Sequence, residues 1–126
     1  MTYRWIVAAF GLAALASTAA AAPAGDAAAG KALFSEQCSL CHSTTPSPGG
    51  GGAAPDLNGV VGRKIASVEG FSYTGALKKK TDTWTPEHLD AFLSDPQTFA
   101  PGSSMPVNLP EAKDRADAIA YLSTLK

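Results

Sequence analysis

The chain has 126 residues, a formal net charge of −1 at pH 7 and 45% hydrophobic residues. This length corresponds to one small domain. The balance of 10 basic and 11 acidic side chains argues against nucleic acid as a partner. Many of the apolar residues are alanines near the N-terminus, so the core formed by the rest of the chain is expected to be thin.

The N-terminal segment, residues 1–24, has the pattern of a cleavable export signal. Arg4 supplies a positive start, an apolar stretch follows, and several small-x-small cleavage sites close the segment. The alternative is an uncleaved membrane anchor, because residues 5–22 are near the lower length limit for a span. Their alanine-rich second half inserts poorly, which favours cleavage and leaves one domain over residues 25–126.

The first predicted element of this domain is a helix over Ala27–Gln37, with Asp26 as its N-cap. Gly30, Phe34 and Cys38 are spaced at i, i+4 and i+8, so they share one helix face. A glycine inside a helix costs about 1 kcal/mol relative to alanine. We therefore expect another backbone to approach closely at Gly30, unless this glycine belongs to a frayed first turn.

The next segment, Cys38-Ser39-Leu40-Cys41-His42, contains both cysteines of the chain. Two thiols three positions apart, followed at once by a histidine, match the attachment signature of a c-type haem. Each thiol can add to one vinyl group of the porphyrin, and the imidazole can ligate the iron. A thioredoxin-like dithiol belongs in a βαβ setting, and strand patterning is almost absent here. A zinc site would need the distant His88 as its fourth ligand.

The later segments are predicted as helices joined by loops, with no sheet, which indicates an all-α fold. Thr85 and Pro86 form a well-defined helix start, whereas the glycine run at residues 49–52 indicates a flexible spacer. Residues 99–106 form a second loop. The predicted helical segments are a short stretch ending at Lys80, a helix that stops before Pro96, and an amphipathic helix over residues 110–125.

A haem iron bound by a histidine has a sixth position, and the ligand at that position decides the function. Apart from Met1, the chain has one methionine, Met105. It lies between Pro101-Gly102 and Pro106 on a loop, whereas a core methionine more usually lies on an amphipathic helix. A neutral, soft thioether favours ferrous iron and is the ligand typical of electron carriers. The pattern therefore favours Met105 as the distal ligand.

Residues 25–125 resemble the class I cytochromes c of the mitochondrial and bacterial c2 type. The motifs that carry the resemblance, besides the Cys38–His42 segment, are Pro55-Asp56-Leu57-Asn58-Gly59, Gly62-Arg63-Lys64, Gly70-Phe71-Ser72-Tyr73, Trp84, Pro96, Pro101-Gly102-Ser103-Ser104-Met105 and Tyr121-Leu122. The resemblance implies the all-α class I cytochrome c fold around one haem c. It implies attachment through Cys38 and Cys41, with His42 as proximal and Met105 as distal ligand.

The resemblance also implies roles for residues around the haem. Pro55 resembles the residue whose carbonyl accepts the ring N–H of the proximal histidine, which fixes the tautomer of that ligand. Arg63 matches a position that offsets the charge of the haem propionates, whose burial would otherwise be costly. The positions that hydrogen-bond the propionates are matched by Tyr73, Trp84 and Ser103.

Four positions depart from the family pattern. Leu77 stands where an asparagine is common, and Phe92 replaces a tyrosine whose hydroxyl would reach the sulfur of Met105. Gln97 and Ser104 stand where mitochondrial members carry lysines around the haem edge. The lysine ring used for docking is therefore incomplete, and we expect weaker or differently placed electrostatic steering of partners.

Taken together, the resemblance implies a soluble, monomeric, monohaem electron carrier that is not an enzyme. Its expected location is the bacterial periplasm. Its expected partners are redox proteins such as a quinol:cytochrome c reductase complex, a terminal oxidase or a periplasmic dehydrogenase, with membrane contact only through them. The alternative is a haem peroxidase or a gas or redox sensor in which Met105 is a labile ligand.

Overall fold

The structure, a computed structural model, describes residues 23–47, 49 and 52–126. Almost all of the expected export signal lies outside these residues. The helices are α1 (Ala27–Gln37), α2 (Gly75–Lys78), α3 (Pro86–Ser94), α4 (Pro96–Phe99) and α5 (Ala112–Leu122). Over the described ranges the β pairing is limited to an isolated antiparallel bridge between Lys64 and Thr83, so the all-α class is confirmed. None of the helices described has the length and apolar character that a membrane span requires.

The helix starts follow from local side-chain chemistry. The Asp26 carboxylate accepts hydrogen bonds from the first free N–H groups of α1, at Ala28 and Ala29. The Thr85 hydroxyl oxygen accepts one from the His88 N–H at 3.1 Å in α3. Such caps satisfy N–H groups that have no partner within the helix. Both predicted caps are present in the structure.

Pro96 begins a helix that the sequence-based prediction lacks. The prediction ended the preceding helix before this proline, which is correct, but it placed no new helix there. Proline fits the first helical position because its missing N–H is not needed there. Asp95, in an extended conformation, accepts hydrogen bonds from the N–H groups of Gln97 and Thr98. The pair Asp95-Pro96 therefore ends α3 and starts α4.

The last helix is shorter than predicted, because it spans Ala112–Leu122 rather than residues 110–125. Glu111 has an extended backbone, with φ −78° and ψ 126°, so it precedes the first helical residue. At the other end the N–H groups of Thr124 and Leu125 bond to carbonyls three residues back. These bonds tighten the last turn and end the α-helix.

Helices α1 and α5 cross in direct backbone contact. A Cβ atom at Gly30 would lie 1.9 Å from the Asp117 carbonyl oxygen, so no larger residue fits without a shift of the backbone. The Phe34 and Tyr121 rings pack beside this point with their centroids 5.5 Å apart. The close approach predicted for Gly30 is confirmed, and α5 is the element that makes it.

The hydrophobic core is small. Its central cluster consists of Phe34, Val60, Ile65, Trp84, Leu89 and Leu122. Several apolar side chains around this cluster are only partly buried, and they include Leu57, Leu77, Phe92 and Phe99. A large apolar group bound among them would remove their exposed surface from water, which is favourable at about 25 cal/mol per Å². The small core thus fits a prosthetic group that completes it.

Candidate haem site

The Cys38–His42 segment forms a tight turn at the end of α1. The N–H groups of Cys41 and His42 both bond to the Cys38 carbonyl oxygen, at 3.1 and 2.9 Å. Cys38 is half-buried against the core and Cys41 is exposed. Between them, Leu40 is 88% exposed. The turn keeps both cysteines at the start of one loop, with Cys38 packed against the core.

The thiol chemistry of this turn argues against a redox dithiol. Burial raises the pKa of the Cys38 thiol, and the neighbouring Cys41 raises it further. Reactive dithiols need a lowered pKa, because the thiolate is the nucleophile. A metal site of the zinc type is not supported either. Over the described part of the chain, no three His, Cys, Asp or Glu side chains converge so that they could hold a metal ion.

The imidazole of His42 is oriented by one backbone carbonyl. Its Nδ1 lies 2.7 Å from the Pro55 carbonyl oxygen, and since a carbonyl only accepts, Nδ1 carries the proton. Nε2 then has its lone pair free for a metal. Burial lowers the pKa of His42 against the opposing effect of the Pro55 bond, and the charge of Arg63 lowers it further. The ring is thus favoured in the neutral form that a ligand requires.

The loop that presents Pro55 is held by Arg63. The guanidinium donates to the carbonyl oxygens of Asn58 at 2.8 Å and Asp56 at 2.7 Å. It also lies 3.4 Å from the Asp56 carboxylate, which is buried. Arg63 therefore has a structural role in this loop, besides the role toward a propionate that the sequence predicts. Sequence reasoning did not identify Asp56 as its partner.

The residues expected at the propionates bring free hydroxyl protons to the site. The Tyr73 oxygen accepts from the Val68 N–H at 3.0 Å, and burial, its largest influence, raises the pKa of the phenol. The Ser103 oxygen accepts from the Met105 N–H at 3.3 Å. Each hydroxyl can still donate its own proton.

Trp84 is buried and lies beside Arg63. Its backbone N–H bonds to the Arg63 carbonyl oxygen at 2.8 Å, and its own carbonyl oxygen accepts from the Gly62 N–H at 2.8 Å. Its ring stacks on Phe99 at an interplanar angle of 21°. Arg63 and Trp84 are distant in the sequence and are predicted for the same site. The backbone hydrogen bond between them brings them together.

Thr74 is a polar residue that sequence reasoning missed. Its Oγ1 is buried and has no hydrogen-bond partner within the described residues, and such an atom needs an explanation. Thr74 lines a groove of about 540 Å³ together with Lys79 and Lys80. An unpaired hydroxyl in a groove that two lysines line suits a carboxylate such as a haem propionate. No local pattern separates Thr74 from the other threonines.

Met105 lies on a loop that begins with a type II turn. The Ser103 N–H bonds to the Ala100 carbonyl oxygen at 2.9 Å, and Gly102 has the positive φ, +88°, that such a turn requires. The half-buried Met105 borders a groove of about 370 Å³. Neither this groove nor that beside Thr74 is lined by the Cys38–His42 segment, so neither groove joins Met105 to His42.

The far end of this loop is fixed to two helices. The Leu109 N–H bonds to the Leu93 carbonyl oxygen at 2.7 Å, which joins the loop to α3. From α5, the Arg115 guanidinium donates to the carbonyl oxygens of Leu109 at 3.0 Å and Pro110 at 2.8 Å. The same side chain pairs with Asp90 of α3 at 2.7 Å. The far end of the loop that carries Met105 is therefore attached to both α3 and α5.

Comparison with known proteins gives the family. The profile of the family described as Cytochrome c matches residues 27–126. Cytochrome c-type cyt cy from Rhodobacter capsulatus is 49% identical over 102 residues, which cover 80% of this chain and 50% of that protein, so the chain spans about half of this relative. Cytochrome c from Tetrahymena pyriformis is 46% identical over 82% of this chain and 92% of that protein, and cytochrome c2 from Rhodomicrobium vannielii is 43% identical over 89% of each. The chain belongs to the cytochrome c family of electron carriers, whose haem c is bound covalently by cysteines, here Cys38 and Cys41.

Proposed function

We propose that this protein is a periplasmic monohaem carrier in which His42 and Met105 ligate the iron and single electrons pass through the haem edge. The observation that carries this proposal is the 2.7 Å bond from His42 Nδ1 to the Pro55 carbonyl. It fixes the neutral tautomer and leaves Nε2 as the ligand atom. The bound haem supplies the one-electron chemistry, and the side chains of the protein orient and tune it.

The distal side is suited to a ligand that stays bound in both oxidation states. Met105 offers a neutral thioether on a loop fixed at both ends, by the turn at Gly102 and by the contacts of Leu109. Little reorganisation is then needed when an electron arrives. The hydroxyls of Tyr73, Thr74 and Ser103 would donate to the propionates.

A peroxidase would need an acid–base group beside the distal ligand. Asp95 lines the groove next to Met105, but it accepts three hydrogen bonds from Gln97 and Thr98. The bond from the Thr98 hydroxyl is the main cause that lowers the pKa of Asp95, so this carboxylate is a weaker base than an ordinary aspartate. His88 bonds through Nδ1 to the Thr83 carbonyl oxygen at 2.7 Å. These contacts favour a carrier without catalytic residues.

The location and partners belong to the same proposal. Covalent haem attachment takes place outside the cytoplasm in bacteria, and residues 1–24 have the pattern of an export signal. We propose that the protein works as a monomer and exchanges electrons with a quinol:cytochrome c reductase complex, a terminal oxidase or a periplasmic dehydrogenase. The missing lysines at Gln97 and Ser104 predict a weak dependence of these encounters on ionic strength.

An optical redox titration of the haem-loaded protein tests the ligation. We expect a low-spin oxidised spectrum with a sulfur-to-iron charge-transfer band, reversible one-electron reduction, and haem that stays attached after denaturation. Met105→Leu should abolish the band, whereas the control Asn108→Ala on the same loop should keep it. A high-spin oxidised wild type would contradict the carrier and favour the peroxidase or sensor. Loss of haem on denaturation would contradict covalent attachment.

A further inference from the structure

The side chain of Gln97 connects α4 with the turn that precedes Met105. Its Nε2 donates to the Ser103 carbonyl oxygen at 2.6 Å. Its Oε1 accepts from the Gly102 N–H at 3.2 Å. One amide thus satisfies a donor and an acceptor of the turn at the same time. If the amide were flipped, its NH₂ would face the Gly102 N–H and its oxygen would face the Ser103 carbonyl oxygen. Only the observed orientation of the amide makes both hydrogen bonds.

The backbone from which Gln97 extends is firmly held. Pro96 is buried at the start of α4, and Ala100 at its end is fully buried. The Asp95 carboxylate accepts from the N–H of Gln97 at 3.1 Å and caps the helix. Although the glutamine side chain is exposed, the backbone of Gln97 is therefore fixed. Hydrogen bonds from a side chain on a fixed backbone restrict the position of the groups that they contact.

The partner atoms are directly coupled to Met105. Ser103 accepts from Gln97 at its carbonyl and, through its hydroxyl oxygen, accepts from the Met105 N–H at 3.3 Å. Gln97 and Met105 also line the same groove of about 370 Å³. A displacement of Ser103 would therefore displace the backbone of the thioether residue.

We propose that Gln97 is a positioning residue that holds Met105 at the iron by closing the turn over Gly102 and Ser103. The proposal rests on the ligation of iron by Met105 proposed above. It assigns a role to a position that the sequence marks only as a missing surface lysine. Each of the two hydrogen bonds is exposed to solvent and is expected to contribute at the low end of the usual free-energy range. Losing both should raise the equilibrium constant for displacement of Met105 from the iron about fivefold.

The test is a titration of the oxidised, haem-loaded protein with imidazole, which competes with Met105 for the iron. The charge-transfer band reports the fraction of protein that retains the thioether. We expect Gln97→Ala to bind imidazole about fivefold more tightly than wild type. Gln97→Glu keeps the length and the acceptor but lacks the donor to Ser103, so it should also bind imidazole more tightly.

Thr98→Ala is the matched control, because Thr98 lies in the same helix and its hydroxyl bonds to Asp95 rather than to the turn. It should leave imidazole affinity close to that of wild type. Amide hydrogen exchange at Gly102 gives a second readout and should accelerate in Gln97→Ala, because that N–H loses its acceptor.

The outcomes separate this proposal from the ligation on which it rests. A wild type without the charge-transfer band contradicts ligation by Met105, and the role of Gln97 with it. A wild type with the band, combined with an unchanged imidazole affinity in Gln97→Ala, overturns the role of Gln97 alone. Equal effects of Gln97→Ala and Thr98→Ala also overturn it, since they would indicate a general weakening of α4.

Discussion

The α1–α5 crossing and the Met105 loop are stabilised in different ways. At the crossing, two backbones touch at Gly30 and aromatic rings pack beside them, so stability comes from close packing of buried atoms. The loop is held by a backbone bond at each end and by hydrogen bonds from a few side chains, chiefly Gln97 and Arg115. Regions with few buried apolar contacts open at lower free energy than packed helices. The protein thus combines a closely packed helix pair with a loop. Single side chains can change the free energy at which this loop opens.

The largest effect is expected at the crossing. Gly30→Ala places a Cβ 1.9 Å from the Asp117 carbonyl oxygen, and since that atom belongs to the backbone, the helices must separate. We expect a loss of about 3 kcal/mol or more in the free energy of unfolding. Gly75→Ala at the start of α2 is the control, because its Cβ would meet no atom within 4 Å. Denaturant titration of both variants measures the difference, and equal midpoints would refute the close packing.

A smaller effect is expected where the two regions meet, at Arg115. Arg115→Leu leaves the Leu109 and Pro110 carbonyls and the Asp90 carboxylate without their donor. We expect a loss of about 2 kcal/mol in stability, because bonds to a charged donor are the stronger ones. Arg115→Lys should recover only part of it, since one ammonium cannot reproduce the planar fork. Full recovery by lysine, measured by denaturant titration, would show that charge alone matters.

The crossing should also depend on pH through Asp117. A bond from Lys113 and then one from the Asp26 N–H lower the pKa of this carboxyl below its unfolded value, which is about 3.9. Its contribution is therefore complete above that value and is lost as the pH falls through the folded pKa. Asp117→Asn should lower the melting temperature by several degrees at neutral pH and progressively less below about pH 4. Asp82→Asn in an exposed loop is the control. A difference that stayed constant with pH would contradict the assignment.

The smallest effect is expected at the cap of α3, the helix to which the Met105 loop is attached. Thr85→Ala removes the acceptor of the His88 N–H and should cost about 1 kcal/mol in the free energy of unfolding. Thr85→Ser keeps a hydroxyl and should cost a few tenths at most by the same measurement. Equal losses in the two variants would indicate that the methyl group, not the cap, is what matters.

The elements that the sequence predicted well are those that local chemistry decides. The starts of α1 and α3 follow from Asp26, Thr85 and Pro86, whose side chains act on neighbours within a few positions. Gly30 was informative because a glycine inside a helix is costly unless space requires it. The haem attachment segment was evident for a similar reason, because the spacing of its cysteines and histidine is itself the chemical requirement.

What the sequence did not predict depends on contacts between distant segments. Pro96 was interpreted only as the end of a helix, although the preceding aspartate makes it a helix start as well. The bonds of Gln97 depend on a turn that lies five and six positions further on, and the unpaired hydroxyl of Thr74 depends on burial. The ligand roles of His42 and Met105 remain predictions, which the titrations above address.

The bond between His42 and Pro55 also has a consequence for the segment between these two residues, which should tolerate added residues. A second bond, from the Leu57 N–H to the Ser43 carbonyl oxygen at 2.9 Å, lies beside it, so the two ends of the intervening segment are held together. Doubling the length of a flexible loop costs only about 0.6 kcal/mol in closure entropy. A peptide inserted into the glycine run at residues 49–52 should therefore leave the bond between His42 and Pro55 intact, which offers a site for tethering the protein to an electrode or a partner.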